Sequence, residues 1–309
     1  MSARVEEASA PGKRRRPTLR HRVEYLTVRA LFAFVGVLPE RMAYAMAGAA
    51  GRLFFRLAGR RRALALRFLR QALGPDPSDA ELLRLGRIAT GNIFKVGLDS
   101  VRLIPLAQQG RLFERIDMGD TRAQLPPPPM IVVSAHLGCW EGGAMAFAAL
   151  HGEVHAVAKA ARNPLVDQWL VENRHRAGLF VHPRRGGIKT LARRLARGGV
   201  AAMIVDQNQR LRPVIAPFFG APARCERSAA KLALRLGCPV VVAAMVRVGP
   251  AMRFKFSVRE PIHLERTGDP AQDLVAGITR INRDIEAAIL AAPDQYLWIH
   301  DRYRGAGGS

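Results

Sequence analysis

The sequence predicts an α/β fold with a largely parallel central sheet flanked by helices, preceded by a helical, membrane-interacting N-terminal extension. Three observations carry this. From Met130 onward, short apolar runs alternate with longer stretches of helical periodicity, the pattern of strands buried on both faces and joined by crossover helices. Before Met130 the chain reads mainly as helical. Its 309 residues are enough for one large domain with a substantial core.

In order, residues 1–18 read as a disordered basic tail holding Lys13, Arg14, Arg15 and Arg16. Residues 19–58 read as a helical hairpin whose apolar clusters (Tyr25, Leu26, Val28, Leu31, Phe32) alternate with arginines, break at Leu38-Pro39 and resume over Met42 to Leu57. Its apolar runs, Ala30 to Leu38 and Met42 to Gly51, have nine and ten residues, against about 20 for a spanning helix. The hairpin is therefore expected to lie in an anionic membrane interface, although an ordinary core hairpin shares the pattern.

The basic knot Arg60-Arg61-Arg62 leads to a helix over Ala63 to Leu73. Ser78 and Glu81 have capping-box spacing and start a second helix running towards Leu103. Leu112 to Met118 reads as an edge strand and Gln124 to Pro129 as a polyproline linker. Expected strands are Met130 to Ala135, Val154 to Ala158, Leu179 to His182, Val200 to Val205, Pro239 to Val246 and Met252 to Val258. Expected helices are Gly142 to Leu150, Pro164 to Arg176, Ile188 to Arg197, Cys225 to Leu236 and Asp273 to Leu290. In such a sheet, ligands bind at the carboxyl ends of the strands.

The net charge is +23, nearly all from arginine, which suits phosphate and carboxylate recognition, so an anionic partner is expected. Nucleic acid is not the expected partner: aromatics make up 6% of residues, with no zinc finger or RNP-type strand. Cys139, Cys225 and Cys238 are too scattered for a disulfide framework, and no spacing suggests a metal site. No signal peptide is evident, since the basic cluster is followed by more arginines before any apolar run.

The chemistry centres on SAHLGCWEGG, where an apolar strand delivers His136 and, five residues on, Glu141. In one continuous helix that spacing is a turn of about 500° and splays the side chains. With His136 at the strand end and Glu141 in the first helical turn after a bend at Gly138, the carboxylate would accept the Nδ1 hydrogen and aim Nε2 at a hydroxyl. A satisfied histidine in a capped turn fits the same letters, and Cys139 with His136 as base is a rival nucleophile.

This stretch resembles the late acyltransferases of lipid A biosynthesis, the lauroyl and myristoyl transferases, within the wider lysophospholipid acyltransferase superfamily. Four blocks in order carry the resemblance: SAHLGCWE, AKAARNPLVDQWLVENRHRAG, VDQN with PFFG, and PDQYLWIHDRYR. It implies that residues 59–309 form an acyltransferase domain, with His136 as general base and Glu141 as the acid that orients it. It also implies donor or acceptor binding around Lys159, Arg162 and Asn163, and Arg174 is expected to extend the same basic patch. Asp206 and Gln207 match the family's DQ and are expected to shape the site floor, and amides near Gly138 to support the oxyanion.

The expected function is transfer of a fatty acyl chain from an acyl carrier protein or CoA thioester to a hydroxyl of a lipid A precursor. The expected place is the cytoplasmic face of the inner membrane, with no cofactor beyond the thioester co-substrate. Asp99, Phe68 and the charged segment Arg224 to Arg227 depart from the family pattern. They leave a phospholipid, ornithine-lipid or glycolipid acceptor open. A non-catalytic basic membrane or nucleic-acid binding protein and a hydrolase are the readings of other classes, and the sequence carries no signal for oligomeric state.

Overall fold

The computed structural model describes residues 17–306. All but the last two residues of the expected basic tail lie outside them. Thr18 caps α1 (Leu19–Val37), its hydroxyl accepting from the His21 amide. After the Pro39 break, α2 (Glu40–Leu57) returns, followed by α3 (Gly59–Leu73) and the 30-residue α4 (Asp79–Gln108), which opens with the Ser78–Glu81 capping box.

The two helices of the hairpin differ. Along α1 no residue is buried, and Leu26, Leu31, Phe34 and Val37 are each more than half exposed. By contrast α2 packs closely on α4: a Cβ at Gly51 would stand 2.6 Å from the Thr90 carbonyl, so only glycine permits the approach. Among the described residues no helix is long and apolar enough to cross a membrane.

A 3₁₀ turn (Leu112–Glu114) and the two-residue β1 (Ile116–Asp117) replace the expected longer edge strand. The short α5 (Thr121–Gln124) precedes β2 (Met130–Ser134), after which strands and helices alternate: α6 (Trp140–His151), β3 (Val154–Ala158), α7 (Pro164–Arg176), β4 (Leu179–Pro183), α8 (Arg184–Ala196) and β5 (Val200–Ile204). A hairpin of β6 (Val214–Phe218) and β7 (Ala221–Cys225) follows, then α9 (Ser228–Leu236), β8 (Val240–Arg247), β9 (Phe254–Val258) and α10 (Pro270–Ala291). Sequence reading missed the β6–β7 hairpin and ran the next helix back into Cys225, which instead ends β7. Prolines at 213, 217 and 222 had masked the pattern.

The seven-stranded sheet has the order β1-β9-β8-β2-β5-β3-β4. The five strands β8, β2, β5, β3 and β4 are mutually parallel, and β9 runs antiparallel to β8. Residues of β2 alternate between two cores. Ile131 and Val133 face the layer containing α8, α9 and α10, while Met130 and Val132 face the layer containing α6 and α4. Strands buried on both faces need apolar residues at every position, as the run MIVV provides.

Candidate active site

Strands β2 and β5 are parallel neighbours in register from Met130 with Val200 to Ser134 with Ile204. Continued two residues past the strand ends, that register sets His136 beside Asp206, the same 70 positions apart. His136 Nδ1 lies 2.7 Å from Asp206 Oδ1, and its backbone N–H donates to Oδ2 at 3.1 Å. An ionised carboxylate only accepts, so Nδ1 carries the hydrogen and Nε2 presents its lone pair. Nε2 accepts from the Gln207 side-chain amide at 3.2 Å.

This corrects the expected partnership. The group on Nδ1 is Asp206, not Glu141, and Asp206 is a partner of His136 rather than floor. Glu141 does sit in the first turn of α6, as the bend at Gly138 requires, but its carboxylate is taken by Arg174 from the last turn of α7: Nη2 meets Oε1, and Nε donates to Oε2 at 3.3 Å. Glu141 belongs to the helix that follows the strand, whereas Asp206 stands two residues past the end of the adjacent parallel strand.

The turn is fixed from two directions. Gly138 has φ +56°, and a Cβ there would stand 2.1 Å from the Met245 carbonyl. Its N–H donates to the Gln295 carbonyl, the Cys139 N–H donates to the Met245 carbonyl, and the Leu297 N–H donates to the His136 carbonyl. The block PDQYLW thus clamps the histidine loop. The amide of Gly138 is thereby committed and cannot serve a developing oxyanion. Those of Trp140 and Glu141, in the first turn of α6, have no acceptor within the helix.

Burial works against an imidazolium at His136, but the Asp206 charge and hydrogen bond outweigh it and set the pKa above the ordinary histidine value. Burial likewise pushes the Asp206 carboxyl up. His136 and the more distant Arg302 pull harder, holding it below the usual carboxylate range. Cys139 is a poor nucleophile here: its thiol is buried in the core, and burial raises its pKa well above that of a free thiol.

His136 opens onto a cavity of about 310 Å³ between α6 and the sheet. Alanines at 156, 202 and 243 leave this space beneath the helix, and Phe147, Leu179 and Phe256 line it further. Glu141, Lys159, Arg174, Arg184 and Gln207 also line it, with Trp140 edge-on to the His136 ring at 4.9 Å between centroids. An apolar slot with a polar, mainly cationic set of residues beside one histidine suits a long-chain acyl group bearing an anionic or polar head.

Of the sequence-predicted residues, the structure brings His136, Glu141, Lys159, Arg174 and Gln207 to this cavity, with Asp206 behind His136. It does not bring Arg162 or Asn163 there. Asn163 is the cap of α7, its Oδ1 accepting from the Leu165 amide, and its Nδ2 donates to the His21 carbonyl of α1 at 2.8 Å. The pairing of His136 with Asp206 had a signal in the sequence: VVSAH and MIVDQ each carry an ionisable residue just beyond an apolar strand, which is what adjacent parallel strands need to bring two side chains together.

A protein from Haemophilus influenzae described as a lipid A biosynthesis acyltransferase is 29% identical over 140 residues, which cover 45% of this chain and 42% of that protein. The chain thus matches less than half the length of this curated relative. The profile of the family described as bacterial lipid A biosynthesis acyltransferase matches residues 12–305, nearly the whole sequence, and the chain belongs to that family.

Proposed function

We propose that the protein is an O-acyltransferase that moves a fatty acyl chain from an acyl carrier protein or CoA thioester to a hydroxyl of a lipid A precursor. One observation carries this reading: the imidazole held by Asp206 presents a free-base Nε2 at the opening of an apolar cavity. Family membership and the relative's description support acyl transfer in lipid A synthesis.

The acyl chain would lie along Ala156, Ala202 and Ala243, with its thioester carbonyl near Nε2. An acceptor hydroxyl would replace Gln207 as the Nε2 partner and lose its proton to Nε2 as it attacks that carbonyl. Asp206 would stabilise the resulting imidazolium. The Gln207 amide and the first-turn N–H groups of α6 would face the oxyanion. Collapse would expel the thiolate, which takes the proton back from Nε2, and no acyl-enzyme forms.

Glu141 holds Arg174 in place, and Arg174, Lys159 and Arg184 would receive the anionic part of donor or acceptor. The exposed apolar residues of α1 and α2, flanked by Arg20, Arg22, Arg29, Arg41 and Arg56, would rest in the membrane interface without crossing it. Because α1 packs on α7 through Phe32 and Trp169, 5.3 Å apart, that surface lies on the helix that supplies Arg174. The inner membrane's cytoplasmic face is the location this reading implies, where thioester donors are made.

The test is incubation of purified protein with membranes and acyl thioesters, with lipid masses compared for wild type and His136→Ala. A gain of one acyl mass on a lipid A precursor, absent in the variant, is expected. Free fatty acid without an acylated lipid would instead mark a hydrolase, and full activity in the variant would remove His136 from the chemistry.

A further inference from the structure

One residue past Gln207 a second cavity begins. It measures about 270 Å³ and is lined by Arg60, Arg61, Arg210 and Arg304, together with Asn208 and His300. These four guanidinium groups come from the start of α3, the loop after β5 and the C-terminal segment. Among the described residues, none of the four makes an ion pair, and Asp301 is the only carboxylate in the lining.

Gathering four like charges is unfavourable unless an anion offsets them. Arg60 and Arg61 also lie in the first turn of α3, where the helix dipole already disfavours a cation, and that turn contains no acidic residue. The framework beneath them is built. Arg61 Nη1 donates to the Ile299 carbonyl at 3.2 Å, and Asn208 Nδ2 donates to the carbonyls of Arg302 and Arg304 at 3.1 and 2.7 Å. The Asn208 N–H donates to His300 Nε2 at 3.2 Å, and Arg224 Nη2 donates to the Arg210 carbonyl at 3.2 Å.

Planar guanidinium forks bind phosphate oxygens in pairs. We propose that Arg60, Arg61, Arg210 and Arg304 form a phosphate-binding site for the headgroup of the acceptor lipid, separate from the cationic residues around the acyl cavity. Gln207, the hydrogen-bond partner of His136 Nε2, lines the acyl cavity and Asn208 lines this one, so consecutive residues border the two cavities. A headgroup phosphate held by the arginines would leave a neighbouring hydroxyl over Nε2, with the acyl chain approaching from the other cavity. The identity of the lipid rests on the acyl-transfer reading; the anion chemistry of the site does not. The phosphodiester of a phosphopantetheine arm carries the same chemistry, so donor and acceptor must be separated.

The test pairs two charge-matched variants of the full chain: Arg60→Gln/Arg210→Gln/Arg304→Gln at the cavity, and Arg193→Gln/Arg197→Gln/Arg235→Gln on the exposed surface of α8 and α9. Single Arg210→Gln and Arg304→Gln proteins serve if the cavity triple does not fold. Phosphatidylcholine vesicles doped with a lipid A precursor, or with the same lipid after phosphatase treatment, are floated with each protein. Wild type and the surface triple are expected to prefer the phosphorylated lipid, and the cavity triple to lose that preference by about tenfold or more.

Equal loss in both triples would mean general charge attraction and overturn the site. In acylation assays KM for the phosphorylated precursor should rise while KM for the thioester stays fixed; the opposite pattern would give the site to the donor and overturn the proposal. If wild type acylates nothing, the acyl-transfer reading falls, and the flotation arm still decides whether the arginines bind phosphate.

Discussion

Asp206 accepts both the ring Nδ1–H and the backbone N–H of His136, so one buried carboxylate fixes this residue at two points. Because the carboxylate sets the tautomer, Asp206→Asn should let the ring present the wrong nitrogen. The expected result is a fall in kcat of about a hundredfold or more with little change in KM. Glu141→Gln should behave differently, because Glu141 meets Arg174 and not the imidazole: KM for donor or acceptor rises and kcat changes less. Steady-state kinetics on the two variants separates the roles, and a larger kcat loss in Glu141→Gln would return the orienting role to Glu141.

The pH profile follows from the same pair. A general base must be neutral, and Asp206 raises the pKa of His136 above its ordinary value in spite of burial. The acidic limb of kcat/KM should therefore lie above about 6.5, with activity falling as pH drops through it. In Asp206→Asn the raising influence is gone and burial remains, so the limb should move to lower pH while the plateau falls. A limb at unchanged pH in the variant would show that another group is being titrated.

The acyl cavity makes a prediction about chain length. Ala202 lines it from the middle of β5, the strand that leads to Asp206. Ala202→Leu fills part of the slot, so longer thioesters should lose more than shorter ones, by roughly fourfold for each methylene displaced, from about 0.8 kcal/mol per buried CH₂. Competition between acyl donors of different length measures the shift. An equal loss across all lengths would place the chain elsewhere.

How much of this was legible in the sequence depends on range. The alternation that predicts a parallel sheet is local, and five strands and most helices fall close to their expected places. Val154–Ala158 and Pro164–Arg176 match at both ends. The partner of His136 is not local. Glu141 was the nearest carboxylate along the chain, but Asp206 is nearest in space, because β5 inserts between β2 and β3 and brings a residue 70 positions away into register. The arginine cavity was equally hidden: Arg60 and Arg61 read as a basic knot, and only the C-terminal clamp brings Arg304 to them.

Asp99 and Arg247 form an ion pair whose side chains are 2% and 5% exposed, with the guanidinium over the Tyr44 and Phe254 rings at 4.3 and 4.9 Å. Burial pushes the Asp99 carboxyl up and Arg247 opposes this. Arg247→Met removes the opposing charge and should cost about 3–5 kcal/mol at neutral pH, read by urea denaturation. The sign with pH is set by the acid left behind. Its folded pKa then lies still further above the unfolded value, so the folded state binds the extra proton and the deficit relative to wild type should shrink as pH falls. Asp99→Leu combined with Arg247→Met removes both charges and should recover most of the loss; a double variant as unstable as the single would mean that Arg247 acts by packing against Tyr44 and Phe254 rather than by pairing.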